Sequence, residues 1–265
     1  MKKLSTLLSL CWLTVLFSCT TPSGVDVTQH FDADQYYFRL EVSDGMIVTV
    51  TDQVDDIVIT ADENVMEKIV VRFSGYGTLQ IYRKDFSMMY LNTAEVKLPY
   101  NENLTSVKVG SNSKFHTPYG LTSSEVKVTV ENHSKFDGYI SADKLELKIN
   151  DNSEANLSYD VYENAYVEIK QSSHLYIDEY TSSPIVNLVM RDNSVLEKRW
   201  YGNEFFAFMC QTCYGSMDGN CKAYVDCETC IAMELTNNSF LYYTSDPDIS
   251  GSLVDGTSDF IYEGY

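Results

Sequence analysis

Five cysteines crowd into a short block near the end of the chain: Cys210, Cys213, Cys221, Cys227 and Cys230. The order is CxxC, a lone cysteine, then CxxC, and in spacing alone the two pairs resemble a zinc knuckle. Cys210 to Cys227 and Cys213 to Cys230 are equal steps along the sequence. If neighbouring segments stack, that constant offset would also suit two disulfides, Cys210–Cys227 and Cys213–Cys230. Unpaired core thiols and a redox-active CxxC stay open beside these, although no cationic neighbour or helix start is visible to make a thiol acidic. Cys221, between Asn220 and Lys222, reads as the odd thiol on a loop. Metal chemistry elsewhere has little to work with, because His30, His116, His133 and His174 form no HExxH or close ligand set. His116 is placed above His133 if coils stack.

Carboxylates are numerous, and hydrolysis of a glycosidic bond needs only two, about 5 to 9.5 Å apart. Asp151, Asp178, Glu179 and Asp192 are the candidates, spread over turns rather than gathered in one motif. There is no GxSxG elbow, no phosphate loop and no EF-hand. Tyrosine supplies 20 of the 265 residues, and Tyr159, Tyr162, Tyr166, Tyr176, Tyr180, Trp200 and Tyr201 gather in the middle of the chain. Such side chains can stack on a sugar face or a protein partner while their hydroxyls bond outward, so they are the candidate binding ridge.

These groups must be positioned by strands. From Tyr36 onward, short runs rich in Val, Ile and aromatics alternate with Asp, Gly and Asn. The segment 61–68 could form one helical turn, and Gly75-Tyr76-Gly77 predicts a hairpin between IVVRF and TLQIYR. Beyond residue 100 the pattern repeats. Ser113, Ser134, Ser153, Ser173 and Ser194 recur at near-constant intervals of about 20 residues, and Cys213 continues the series. A strand-and-turn repeat of this length predicts a solenoid in which each coil covers the next. Val126, Val128 and Val130 would stack between Val107 and Val109 and the set Leu145, Leu147 and Ile149, while Lys127, Thr129, Glu146 and Lys148 point outward. Asn-Ser and His-Ser pairs suit the corners, because Asn tolerates the left-handed conformation and both side chains bond nearby backbone.

The N-terminus carries a separate signal. MKKLSTLLSLCWLTVLFSC has two lysines, an apolar run from Leu4 to Phe17 too short to span a membrane, and a cysteine after a small residue. The LFSC ending resembles the lipobox of bacterial lipoproteins, which implies cleavage after residue 18 and acylation of Cys19. Residues 19–34 would then be a polar tether, 35–100 an irregular N-terminal β region and 101–265 the repeats. The formal net charge is −19, and loss of Lys2 and Lys3 makes the balance more acidic still. Such a surface repels nucleic acid, so the expected membrane contact is through lipid alone.

The stretches IVITADENVMEKIVVRFSGYGTLQIYRKD (57–85) and VKVTVENHSKFDGYISADKLELKINDNSEANL (126–157) resemble the auto-transporter adhesin head GIN domain family, with similarity over residues 36 to 200. The resemblance implies an all-β, right-handed parallel β-helix with an irregular N-terminal β portion, in a cell envelope. It carries over no catalytic residues. The expected function is a lipid-anchored, outer-membrane, adhesin-like module that binds protein or glycan, without a cofactor unless zinc occupies the C-terminal cysteines. The alternative is a polysaccharide-active β-helix enzyme using paired surface carboxylates.

Overall fold

The computed structural model describes residues 23–33, 35–84, 93–177, 181–197, 199–201, 204–206 and 208–263. It is a parallel β-solenoid of about seven turns. Two columns of strands run the length of the stack. In chain order the strands are β1 (Asp26–Phe31), β2 (Arg39–Val42), β3 (Met46–Thr51), β4 (Ile57–Asp62), β5 (Ile69–Ser74), β6 (Thr78–Arg83), β7 (Ala94–Pro99), β8 (Ser106–Val109) and β9 (Lys114–Val130). They continue with β10 (Lys135–Ile149), β11 (Glu154–Ile169), β12 (His174–Ile177), β13 (Ser182–Arg191), β14 (Val195–Glu197), β15 (Arg199–Tyr201) and β16 (Glu204–Phe206). The last coils are β17 (Phe208–Asp218), β18 (Lys222–Thr236), β19 (Phe240–Thr244), β20 (Leu253–Val254) and β21 (Asp259–Tyr262).

The predicted ladder of valines is in register. Val107 and Val109 face Val128 and Val130, and Val126, Val128 and Val130 face Leu145, Leu147 and Ile149. All of these side chains are buried, whereas Lys127, Thr129, Glu146 and Lys148 lie on the outer surface or only half-buried. Period-two alternation therefore makes the core directly. Where that ladder reaches β17 it meets Gly215, opposite Leu188 and Met233. Its φ is +141°, and a Cβ there would lie 2.0 Å from the Leu188 carbonyl oxygen, so no larger residue fits without displacing backbone.

The corner between the two columns has one construction throughout. Two successive left-handed residues precede a buried serine: Ser111-Asn112, Asn132-His133, Asp151-Asn152, Gln171-Ser172, Asp192-Asn193 and Asn237-Asn238. Such backbone is disfavoured for non-glycine residues by roughly 1–2 kcal/mol each, and the corner offsets this with bonds between coils. The backbone N–H of Met46 donates to Ser113 Oγ at 3.2 Å, that of Ser113 to Ser134 Oγ at 3.3 Å, that of Ser134 to Ser153 Oγ at 3.2 Å and that of Ser153 to Ser173 Oγ at 3.1 Å. Asn112, His133 and Asn152 also donate backbone bonds of 2.9 Å to carbonyls of the following coil.

After Ser194 the ladder departs from the expected rhythm. Its next member is Cys221 rather than Cys213, because the antiparallel β15–β16 hairpin is inserted before β17 and lengthens the step. Cys213 lies opposite Val186 and Ile231 in the apolar column instead. Cys221 is correspondingly fully buried and not on a loop. Its thiol donates to the Asp218 carbonyl at 3.2 Å, as the Ser239 hydroxyl does to the Thr236 carbonyl at 2.7 Å. The Ser194 N–H bonds to the Cys221 sulfur, while the Cys221 N–H donates to Ser239 Oγ. A thiol thus stands in a row of hydroxyls.

Chain order and stacking order differ at the N-terminal end. β2 lies between β6 and β8, and β3 between β7 and β9, so residues 39–51 form the second coil rather than part of an irregular leader. The intervening chain turns back to build the terminal coil β6–β7 and covers its open edges with antiparallel β5 and β4. The β5–β6 hairpin turns at Tyr76-Gly77, both with positive φ, and a single helical turn, α1 (Glu63–Met66), follows β4. β1 pairs antiparallel with β4. The stretch expected as a tether is therefore strand over residues 26–31, and Asp62 accepts bonds from Ser23 Oγ at 3.0 Å and the Gly24 N–H at 2.8 Å.

Ser153→Ala should lower unfolding free energy by about 1–3 kcal/mol in urea titration, because it leaves a buried N–H unpaired. Cys221→Ser, which keeps both bonding roles, should be at least as stable as the native chain, and Cys221→Val should be destabilised like Ser153→Ala. Gly215→Ala should cost about 1–3 kcal/mol or more through overpacking, measured in the same way.

Candidate functional site

Opposite the serine corner, each coil passes from one column to the other through a bulged bend. Register shifts mark it at 138–140, 142–144 and 160–164. The outward positions beside this bend carry tyrosines: Tyr139 and Tyr162 by ordinary alternation with the buried Ile140 and Val161, and Tyr119 through the extra residues between Thr117 and Leu121. Tyr100, Tyr119, Tyr139 and Tyr162 are 48%, 42%, 37% and 63% exposed, and they follow one another along the solenoid axis. The Tyr100 and Tyr119 ring centroids are 5.2 Å apart. Gly120, with φ +75°, leaves the space that the Tyr139 ring fills, since a Cβ would sit 2.9 Å from its Cδ1. Tyr162 lies near the Tyr139 hydroxyl in the next coil.

Carboxylates hold the line in place. Tyr119 Oη donates to Asp52 Oδ1 at 2.6 Å, and Tyr139 Oη donates to Asp160 Oδ2 at 2.8 Å. The bond to Asp52 raises the Tyr119 phenol above its ordinary range; for Tyr139, burial and then the bond to Asp160 do the same. Both remain neutral donors at any physiological pH.

A recess lies at each end. One of about 330 Å³ is lined by Gln35, Tyr36, Asp55, Tyr100, Asn101 and Asn103, with Tyr36 68% exposed at its rim. The other, of about 250 Å³, is lined by Tyr162, Ser183, Pro184, Cys210, Asp226 and Glu228, among others. Stacked at about 4.8 Å per coil, the line and its recesses extend over roughly 25–30 Å. A third recess, of about 370 Å³ on the outer face of β2, β6 and β8, is crossed by its own side chains: Arg72 bonds Gln80, Gln80 bonds Glu41, and Lys108 pairs with Glu131. Its polar groups already have partners.

Of the tyrosines expected to form a ridge, Tyr162 is the only one among the described residues that is placed on this line. Tyr159 is fully buried and makes an edge contact with Phe208, centroids 5.3 Å apart, so it belongs to the core. Tyr166 is half-buried on the outer face of β11 and donates to Glu168 at 2.8 Å beneath Lys148. Tyr176 stacks on His174 at 5.9 Å on β12. Tyr180 and the side chains of Trp200 and Tyr201 lie outside the described residues, as do Cys19, Asp178 and Glu179. Part of this line was legible by its period: the steps from Tyr119 to Tyr139 and Tyr162 each approximate one repeat of the corner serines, whereas Tyr100 and Tyr119 stand two coils apart because β3 lies between β7 and β9.

The acids and histidines are placed otherwise than expected. Asp151 and Asp192 occupy the same corner position two coils apart, with Gln171 between them. His116 faces Asp137, at 3.1 Å, and not His133, which is a left-handed corner residue. Among the described residues no group of three His, Cys, Asp or Glu side chains is placed to hold a metal ion. In the cysteine block Cys210 faces Cys227, but a register shift breaks the second expected pair, leaving Cys213 opposite Ile231 and Cys230 opposite Thr212. All five are thiols. No helix among the described residues is long and apolar enough to cross a membrane.

Titration should distinguish the bonded phenols. Burial, with the Glu168 bond second, pushes Tyr166 up to about 12 from an ordinary 10.0. The folded state thus holds this proton more tightly, and the stability it contributes is complete below pH 10 and lost as pH rises through 12. Tyr166→Phe should flatten the fall in stability across that window, followed by chemical unfolding at fixed pH.

No curated protein matches the sequence significantly. Solved structures share the fold. A putative adhesin from Parabacteroides merdae superposes with a TM-score of 0.72 at 12% identity, covering 92% of this chain and 96% of its own. A putative lipid binding protein from Parabacteroides distasonis gives 0.70 at 15% identity, covering 91% and 98%. A putative adhesin from Bacteroides fragilis gives 0.57 at 13%, covering 92% and 99%. The family described as putative auto-transporter adhesin, head GIN domain, matches residues 37–185, more than half of the sequence, and the chain belongs to that family.

Proposed function

We propose that this protein is a lipid-anchored module of the cell envelope that holds an extended glycan along its tyrosine line. The observation that carries the reading is the alignment of Tyr100, Tyr119, Tyr139 and Tyr162 between two recesses. Tyrosine faces are suited to the apolar faces of sugar rings. Repetition at coil spacing suits a polymer of repeating rings laid along the axis. Asp52, Asp55, Asp160 and Asp226 supply acceptors for sugar hydroxyls along the same side. The net charge of −19 disfavours anionic polymers and leaves neutral or amino-sugar chains as the fitting class. The adhesin descriptions of the family and of two structural relatives agree with a binding role.

The anchor is Cys19. Ser23 and Gly24 bond Asp62 in the terminal cap, so a lipid four positions upstream of Ser23 would hold the solenoid by that end. Mass spectrometry of the membrane form should find the acyl chains on Cys19, and Cys19→Ala should move the protein to the soluble fraction. Persistence of Cys19→Ala in the membrane fraction would remove the anchor from the proposal.

Binding is tested with the mature chain on a panel of neutral, amino-sugar and acidic glycans. Saturable binding to a neutral or amino-sugar polymer is expected, falling at least tenfold when Tyr119, Tyr139 and Tyr162 are replaced by Ala together and unchanged in Tyr166→Ala. Preference for acidic polymers, or a loss equal in Tyr166→Ala, would overturn it. Bound glycan should gain no new reducing ends; cleavage abolished by Asp226→Asn would favour the enzyme reading instead.

A further inference from the structure

The floor of the recess beside Tyr162 contains chemistry that ligand binding does not use. Cys210 lines this recess and is 5% exposed; Cys227, directly opposite it on the next coil, is fully buried, as is Cys213. Adjacent parallel strands place facing Cα atoms about 4.8 Å apart, inside the range that a disulfide spans. Cys210 makes thiol contacts with both Cys213 and Cys227. The other two cysteines are directed elsewhere. Cys221 is committed to the serine row, and Cys230 faces Thr212 across a register shift.

From this geometry we infer that Cys210 and Cys227 are a dithiol site for exchange with disulfides, entered from the recess through Cys210 and closing to a bond between adjacent coils. Electrostatics within the pair supports exchange. The Cys227 thiol is lowered to about 7, first by its bond from Cys210 and also by the N–H groups of Cys230, Thr229 and Cys213, against the opposing effect of burial. Cys210, bonded to Cys213 and Cys227 and desolvated, is pushed up. Of the two, Cys227 is the more readily deprotonated, and the remaining proton is held on Cys210.

The reaction balances with one external disulfide, small-molecule or protein. As the shared proton passes to Cys227, the Cys210 sulfur attacks one sulfur of the external bond, and the other leaves as a thiolate. Cys227 then loses its proton and attacks Cys210 in the mixed disulfide, expelling the second external thiolate. Two protein thiols are oxidised, one external disulfide is reduced to two thiols, and the two protons end on the released thiolates. Cys213, in contact with Cys210, is a further thiol that could exchange into the pair.

The test treats the native full-length mature protein with oxidised glutathione and maps it without reduction. Two of the five thiols in the 210–230 block should be lost, joined as Cys210–Cys227, and recovered with a dithiol reductant. Cys227→Ser should stop at a glutathione adduct on Cys210. Cys210→Ser should leave Cys227 unreacted in the folded protein, since the sulfur that lines the recess is gone. Because a variant could fold poorly, the native protein supplies an independent readout: under limiting alkylating reagent Cys210, which lines the recess, should react before the fully buried Cys213, Cys221 and Cys227, with the half-buried Cys230 as the surface reference. A Cys213–Cys230 or Cys221 bond, adducts on Cys227 in folded Cys210→Ser, or five unreactive thiols after prolonged exposure would overturn the inference.

Discussion

The hydrogen bond from a corner N–H in one coil to a serine hydroxyl in the next is the constraint on which this molecule depends. Two consecutive left-handed residues turn the chain sharply, and without compensation few non-glycine sequences would tolerate that. The buried Oγ supplies the compensation and also measures the stack, since it satisfies a donor that water cannot reach. Once the corners are aligned, alternation sets everything else: valines over valines inside, Lys135 by Glu154 at 2.6 Å outside, and tyrosines at the far bend. Cys221 shows that the position requires a small side chain that both donates and accepts, rather than serine as such.

Much of this was legible because period is a property of sequence. The valine ladder and its outward partners, the Gly75–Gly77 hairpin and the left-handed Asn corners all follow from alternation and turn chemistry. Three kinds of feature were hidden. Insertions break counting, so the long step across the β15–β16 hairpin made Cys213 look like the successor of Ser194. Bulges break alternation: in β10 the buried positions are Phe136, Ile140 and Ala142 before the bend but Leu145 and Leu147 after it, so counting straight through assigns the wrong face. The return of the chain through β6 and β7 to cap the stack leaves no local trace, because it pairs Arg39 with Thr78 and Met46 with Ala94.

The same bulges link fold and site. A regular strand sends alternate residues to opposite faces, which already places Tyr139 and Tyr162 outside beside the buried Ile140 and Val161. The extra residues between Thr117 and Leu121 turn Tyr119 outward to join them, with Gly120 opening room for the Tyr139 ring, while the coil of β3 contributes Asp52 rather than an aromatic. The acidic neighbours fix the phenols, so the line is ordered before any ligand arrives. Less conformational entropy is then lost on binding than if long flexible side chains had to be arrested.

The interleaved N-terminal coil also bears on how the chain assembles. From Lys114 through Lys135, Glu154 and His174 to Val195, each coil meets its predecessor after a single repeat, whereas Arg39 must wait for Ser106, more than three repeats later. The difference in loop closure is only about 1 kcal/mol, too little to matter for final stability. It does matter for sequence in time. A chain emerging from a pore with its N-terminus first would present β2 and β3 long before the strands that flank them exist. One edge of the coil nearest the beginning of the polypeptide thus stays open until β8 and β9 emerge, after β6 and β7 have become available to close the other.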